Sequence, residues 1–382
     1  MAQVSALRIA IAGALALAVA MGIGRFAFTP ILPMMQDDAG LTIVAGGWLA
    51  SANYLGYLLG ALAATVWPLR GSVALTGSLI GIAVVTFAMG ITAEFSAWVV
   101  LRFAAGVASA LVFIAVSTRS MAALAALGRP QLNGVVYAGV GSGVAGAGLL
   151  CLLLMYRDAG SAWAWMVAGL LALCIAVLVL PVLRAIVMPL SAPASTDTRG
   201  SLGGRAGLLV LCYGIAGFGY IIPATFLPVM AKAVVPDAAL FGWSWPVFGF
   251  AALASTLIAA ARAATIGHRR VWIASHWLMA CGVVLPVLWP GLAAVIVSAL
   301  LVGGTFVVIT MAGMQVARET SGQHAARLVA AMTASFALGQ ILGPVVAGLL
   351  FDAGYGFASG QLLAAALLAI SAVALQLQAR RG

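Results

Sequence analysis

The chain has 382 residues, 64% hydrophobic and 7% charged, with a mean hydropathy of +1.18 and a formal charge of +10. Soluble domains carry roughly 25% charged residues, so no water-facing surface can be assembled from this composition. The positive charge does not imply a nucleic-acid partner: the basic residues stand singly between apolar runs, without a basic face or a nucleic-acid-binding motif.

In chain order, the first apolar run follows Arg8. Its opening, Ile9 to Ala20, could pass for a secretory leader, but the run continues through Met21 to Met34 into further runs and reads as an uncleaved first span. Runs bounded by charges, Gly or Pro fall near 7–34, 42–67, 72–89, 97–121, 133–156 and 162–182, then near 207–230, 240–261, 271–288, 293–315, 328–351 and 357–377. Their lengths, about 18 to 25 residues, suit membrane-spanning helices; barrel strands would alternate over about ten residues. The expectation is an all-α membrane protein with twelve transmembrane helices in two bundles of six. Pro189 to Gly204, rich in Ser, Thr, Gly and Ala, reads as a linker, giving an N-terminal bundle over 1–183, a cytoplasmic linker over 184–205 and a C-terminal bundle over 206–382.

With a cytoplasmic N-terminus, 14 of the 18 Lys+Arg fall on the inside: Arg8, Arg70, Arg119, Arg129, Arg184, Arg199, Arg205, Arg262, Arg269, Arg270, Arg318, Arg327, Arg380 and Arg381. The outside loops hold Arg157 and Lys232, so the positive-inside rule puts both termini in the cytoplasm of a multi-pass protein of the bacterial inner membrane.

The two sets of spans repeat each other. Gly22, Gly24, Leu32, Pro33, Gly47 and Trp48 recur as Gly217, Gly219, Leu227, Pro228, Gly242 and Trp243, each 195 residues later, and Gly139 and Gly143 recur as Gly339 and Gly343, 200 later. Parallel repeats of this kind place a site between halves that rock about it.

These residues resemble the major facilitator superfamily over essentially the whole chain. Leu101, Arg102 and Gly106 resemble its span-four arginine-glycine motif, and Gly339, Gly343, Pro344 and Gly348 its glycine-proline motif, here in span eleven. The loop motif between spans two and three is reduced to Pro68, Leu69, Arg70 and Gly71. The run Gly22 to Met34, with Trp48 to Gly56 and Ala224 to Met230, resembles the YbfB/YjiJ branch of bacterial transporters. The resemblance implies a secondary transporter working by alternating access, with spans one, two, four, five, seven, eight, ten and eleven around a central cavity.

All eight acids fall at loops or span ends: Asp37, Asp38, Glu94, Asp158, Asp237 and Asp352 outside, Asp197 and Glu319 inside. Arg25 and Arg102 lie within spans. A charge at mid-bilayer costs about 2.5 to 3.5 kcal/mol on insertion scales, so such residues face an interior or a watery cavity. One reading is a cationic pocket for an anionic or neutral organic solute, since guanidinium matches a carboxylate fork; the other is that they snorkel or pair with Asp37, Asp38 or Glu94. Asn53, Tyr54, Tyr137, Tyr220, Trp243, Gln315 and Gln340 are further substrate-binding candidates, or bridge helices by hydrogen bonds. Gly139, Gly143, Gly339, Gly343 and Pro344 read as packing and conformational positions. Gly141, Gly143 and Gly146 spell G-x-G-x-x-G, but no strand precedes them, so no dinucleotide is expected.

The same branch is similar to a copper importer of the CcoA type, and thioethers select Cu(I). The 14 methionines include no Met-x-x-x-Met or His-x-x-x-Met; Met311 with Met314 and His276 with Met279, each three apart, are the nearest constellations. His276, beside Trp272 and Trp277, fits an interfacial belt, and Met311 and Met314 fit packing. Cys151, Cys174, Cys212 and Cys281 sit in apolar runs without paired spacing and read as packing residues. His268, His276 and His324 form no cluster, so neither an enzyme nor a cofactor is expected. The expected partners are a small-molecule substrate and the lipid bilayer, the expected state is a monomer, and a drug or metabolite efflux pump is an alternative function.

Overall fold

A computed structural model describes residues 5–66, 72–186, 204–321 and 325–380. Most of the expected linker, the loop residues Pro68 to Gly71, and Asp197, Arg199, His324 and Arg381 lie outside the described residues. Among those described, the chain is helical with no strand. In a hydrocarbon phase a helix satisfies its own backbone groups, which explains why an apolar chain folds this way.

The helices are α1 (Ala6–Ala39), α2 (Ile43–Val66), α3 (Ser72–Met89), α4 (Phe95–Ala126), α5 (Asn133–Tyr156) and α6 (Ser161–Arg184). They continue as α7 (Gly204–Val234), α8 (Ser244–Ile266), α9 (His268–Leu288), α10 (Leu292–Ser321), α11 (Ala325–Leu350) and α12 (Gly356–Arg380). Nine stretches of the described residues are long and apolar enough to cross a membrane, one of them running from Arg327 to Arg380 through both α11 and α12. Exposed Leu170, Val177 and Leu178 on α6 and Ile258 on α8 give the outer surface the apolar character that lipid contact requires.

Boundaries moved where caps decide them. α1 runs past the expected end at 34 until Gly40, which adopts φ +63° and bonds its N–H to the Met35 carbonyl, a left-handed stop that glycine adopts without strain. The span expected over 240–261 is broken: Asp237 accepts from the Ala239 N–H to cap a single turn, Ala238–Phe241, and α8 restarts at Ser244. Pro246, in the first turn of α8, removes an N–H that has no intrahelical partner there.

The middle of α1, Ala18–Phe26, is π-helical. Pro30 and Pro33 follow it, and a proline cannot donate to the carbonyl four residues back. A widened turn leaves backbone carbonyls open to side chains of neighbouring helices, and such turns concentrate at functional sites.

Glycines set the helix spacing. A Cβ on Gly139 would lie 2.1 Å from the Ala14 carbonyl oxygen and one on Gly143 2.6 Å from that of Ala18; one on Gly339 would lie 2.3 Å from the Gly214 oxygen and one on Gly343 3.2 Å from that of Phe218. Ala14 to Gly214 and Ala18 to Phe218 are the same 200-residue step as the glycines, so α5 meets α1 as α11 meets α7. Other contacts recur likewise: α2 with α4 and α8 with α10, α3 with α6 and α9 with α12. Across the middle of the molecule, α5 packs on α8 and α11 on α2.

Candidate functional site

Arg25 leaves the π-helical stretch of α1 and is 4% exposed. One Nη2 hydrogen bond, 3.2 Å, reaches the Gln340 Oε1 on α11, and the guanidinium carbon stands 4.1 Å from the Tyr57 ring centroid and 5.2 Å from that of Tyr54. Its Nε has no partner. Among the described residues the ion pairs are Lys232 with Asp37 and His268 with Glu319, so no carboxylate answers this charge. Gln340 also donates to the Tyr220 hydroxyl on α7. Arg25 and Tyr220 are 195 residues apart, so corresponding positions of the two repeats converge on one amide.

Other positions related by that offset touch directly. Thr29 donates to the Ala224 carbonyl at 2.7 Å, and Lys232 bonds Asp37, each pair separated by 195 residues. Lys232, expected in an outside loop, sits in the last turn of α7 and also donates to the Pro33 carbonyl at 3.2 Å. Ser51 also donates to the Ile341 carbonyl, a further side-chain hydrogen bond between α1–α6 and α7–α12. These bonds run from Arg25 to the Asp37 end of the molecule. Because Asp37 is 67% exposed, solvent screens its ion pair. Asp37→Asn is expected to change unfolding stability by less than about 1 kcal/mol, read as the melting temperature in detergent.

Arg102 takes a different place from the expected cavity wall. It is 1% exposed, donates from Nη2 to the Arg25 carbonyl at 2.9 Å and from Nη1 to the Gly24 carbonyl at 3.4 Å, and stands 4.9 Å from the Phe28 ring centroid and 5.9 Å from that of Trp165. Asn53 donates to the carbonyls of Gly24 (3.1 Å) and Arg102 (2.9 Å). Arg102 therefore neither snorkels nor meets Asp37, Asp38 or Glu94; with Asn53 it takes up the carbonyls of the π turn and so fixes the backbone from which Arg25 projects. Asp38 instead accepts from the backbone and hydroxyl of Ser161 at the start of α6.

An aromatic wall stands beside Arg25. The Tyr220 ring stacks on Phe306 (5.3 Å) and Phe336 (5.5 Å), Phe306 on Phe248 (5.4 Å), and Phe248 on Trp245 (4.7 Å), while Phe26 of α1 meets Trp245 and Phe306 at 6.3 and 6.2 Å. Phe26, Tyr57, Trp245, Phe248, Phe306 and Phe336 are not among the site residues expected from sequence. Tyr57 stands three and four residues after Tyr54 and Asn53, the spacing of one helix face, which was a usable signal. The phenylalanines carried none among 15.

Of the expected site residues, Arg25, Tyr54, Tyr220 and Gln340 come together, with Asn53 and Arg102 behind them. Three do not join. Trp243 is 47% exposed and lines an outer groove with Leu149, Leu153 and Tyr156; its counterpart Trp48, in the unbroken α2, is likewise 51% exposed, so this position faces outward in both repeats. Tyr137 packs on Phe113 and donates to the Met121 sulfur at 3.6 Å. Gln315 accepts from Arg318 one turn further along α10.

His276 is corrected as well: with Trp272 it is fully buried, its ring nitrogens at 3.2 Å from the Trp272 carbonyl and 3.3 Å from that of Cys212, because the contact of α9 with α7 covers this face. Met279 is buried on the same helix, and Met311 and Met314 pack partly buried against the core. Cys151 and Cys212 are buried, whereas Cys174 and Cys281 are exposed. Gly141, Gly143 and Gly146 lie within α5.

Comparison with known proteins fits this arrangement. The solved structure of the nucleoside transporter NupG superposes with a TM-score of 0.70 at 15% identity, covering 98% of each chain. A point mutant of NupG superposes with 0.75 at 14% identity, covering 97% of this chain and 99% of that one; likeness at such identity concerns the fold. The uncharacterized MFS-type transporter YceJ of Bacillus subtilis (strain 168) is 40% identical over 97 residues, and that match spans 24% of each chain. The model of the family described as "Uncharacterised MFS-type transporter YbfB" matches residues 17–376. The chain belongs to that family: it is a multi-pass membrane transporter of the major facilitator superfamily and not an enzyme.

Proposed function

We propose that this protein is a secondary transporter that carries a small organic solute, anionic or neutral, across the bacterial inner membrane by alternating access around Arg25. The single observation behind this reading is that Arg25, buried where α1 faces α11, has a neutral amide as its hydrogen-bond acceptor. A buried charge without a counter-ion is costly, and transporters retain such groups where they meet a solute or an ion.

The proposed frame is twelve crossings in two six-helix halves, over 1–183 and 206–382, acting as a monomer with both termini cytoplasmic. In its support, every strong contact within α1–α6 named above recurs six elements later, and the cross-contacts α5 on α8 and α2 on α11 exchange under the same step. The placement of 14 of 18 Lys+Arg supports the orientation. Asn53, Tyr54, Tyr220 and Gln340 line or brace the site in this reading, and the glycine contacts are the joints the halves keep as they rock.

The test is solute uptake by proteoliposomes holding the purified protein, screened first for solutes that raise its melting temperature, since a ligand of the folded state stabilises it by mass action. For such a solute, Arg25→Met is expected to cut uptake to a few per cent or less, roughly the loss of a charged hydrogen bond of about 2 to 3 kcal/mol. Uptake at the wild-type rate in a folded Arg25→Met protein would exclude Arg25 as the centre of the site.

A further inference from the structure

We infer that the solute is an arene monocarboxylate: a flat aromatic ring carrying one carboxylate and no ammonium. This deepens the reading of Arg25 as the substrate site and rests on it.

The number of available cations sets the charge. Both Nη groups of Arg102 already donate to backbone carbonyls, and the rings of Phe28 and Trp165 flank that guanidinium. The Nε of each arginine is buried without an acceptor, but Arg25 has spent only Nη2, on the neutral Gln340 amide, and so keeps Nη donors that Arg102 has given to the backbone. One guanidinium with donors to give matches one carboxylate, which it can grip in a two-point fork. A dianion would leave its second charge facing aromatic rings, and an amino acid would bring an ammonium to a place where no carboxylate stands among the described residues. A neutral solute would leave Arg25 as poorly answered as before.

The walls set the shape. Tyr57 and Tyr54 lie under the Arg25 guanidinium, and beyond it the rings of Phe26, Trp245, Phe306 and Tyr220 pack in a continuous chain, buried in this arrangement and available to a solute only when the helices around Arg25 part. A ring inserted there gains offset or edge contacts that an alkyl chain lacks. Gln340 Oε1 then holds the acceptor position that the carboxylate oxygen takes on binding, and α11 must release Arg25 for the solute to enter. That exchange links anion binding to the contact between α1 and α11.

The experiment measures binding of four probes, benzoate, phenylacetate, cinnamate and indole-3-acetate, to the full-length protein in detergent by calorimetry, each against its neutral amide. Butyrate, phenylsuccinate, phenylalanine and adenosine complete the panel. The expected result is that at least one probe binds roughly tenfold or more tightly than its amide, than phenylsuccinate and than phenylalanine, the scale of one charged hydrogen bond. In Arg25→Gln, shown folded by its melting temperature, that preference disappears. In Phe306→Leu, which keeps the charge, the advantage of the arene acid over butyrate shrinks by roughly three- to tenfold while the preference for acid over amide stays. Equal binding of every acid and its amide, or tighter binding of phenylsuccinate or phenylalanine, overturns the inference. If adenosine, butyrate, phenylsuccinate or phenylalanine is instead transported in an Arg25-dependent way, the substrate class falls and the site stands; if a transported solute ignores Arg25, both fall.

Discussion

Tying Asp37 to Lys232 should stop transport completely and reversibly. In a protein whose four native cysteines are replaced by alanine, Asp37→Cys with Lys232→Cys is treated with a short, reductant-cleavable bis-thiosulfonate reagent. Both positions can be reached, with side chains 67% and 24% exposed. Solute flux in proteoliposomes is expected to fall to the protein-free background and to return when the link is cleaved. Asp37 on α1 and Lys232 on α7 are corresponding positions of the two repeats, 195 residues apart, and equivalent positions meet only where the axis between repeats passes. Alternating access requires each end of that axis to open in turn. A cross-linked protein that still carries solute at the untreated rate would show that the Asp37 end need not part.

The second large effect is expected from one methyl-bearing side chain in the joint between α2 and α4. A Cβ on Gly106 would lie 2.0 Å from the Asn53 carbonyl oxygen and 2.9 Å from the Tyr57 nitrogen, and one on Gly56 would lie 2.1 Å from the Phe103 oxygen. The obstructing atoms are backbone on both sides, so no side-chain rotation relieves the overlap and the helices must separate. Gly106→Val is expected to cost about 3 kcal/mol or more, the upper range of overpacking, and to lower both melting temperature and membrane yield. The damage should reach the site, because this joint carries Asn53 and Arg102 to the carbonyls of Gly24 and Arg25. Gly81→Val is the control, since a Cβ there meets nothing within 4 Å. If the two variants melt alike, the close approach of α2 and α4 does not limit stability.

Much of this was legible along the chain. Apolar runs long enough for helices, arginines gathered at alternate ends and a matched spacing of glycines, prolines and tryptophans are local or periodic features, and they need no folded structure to be read. Arg25 declared itself for the same reason: a lone cation in an apolar run has few inexpensive places to go. The two span arginines, however, look alike in sequence. Only packing separates them, because whether a guanidinium meets carbonyls or a neutral amide depends on the π turn in α1 and on which helices stand opposite. Trp243 shows the converse error: its match to Trp48 is real, but both indoles face outward, 47% and 51% exposed, so a repeated residue type need not mark the site.

The sequence by itself determined a membrane-spanning, all-helical chain with a twofold repeat and no acid deep in its spans, because hydropathy and charge are properties each residue carries wherever it goes. Tertiary structure alone decided that Arg102 bonds backbone carbonyls while Arg25 meets a neutral amide, and that six aromatic side chains from five helices form one wall. Those outcomes depend on contacts between residues up to 315 positions apart, as with Arg25 and Gln340, which no local pattern encodes.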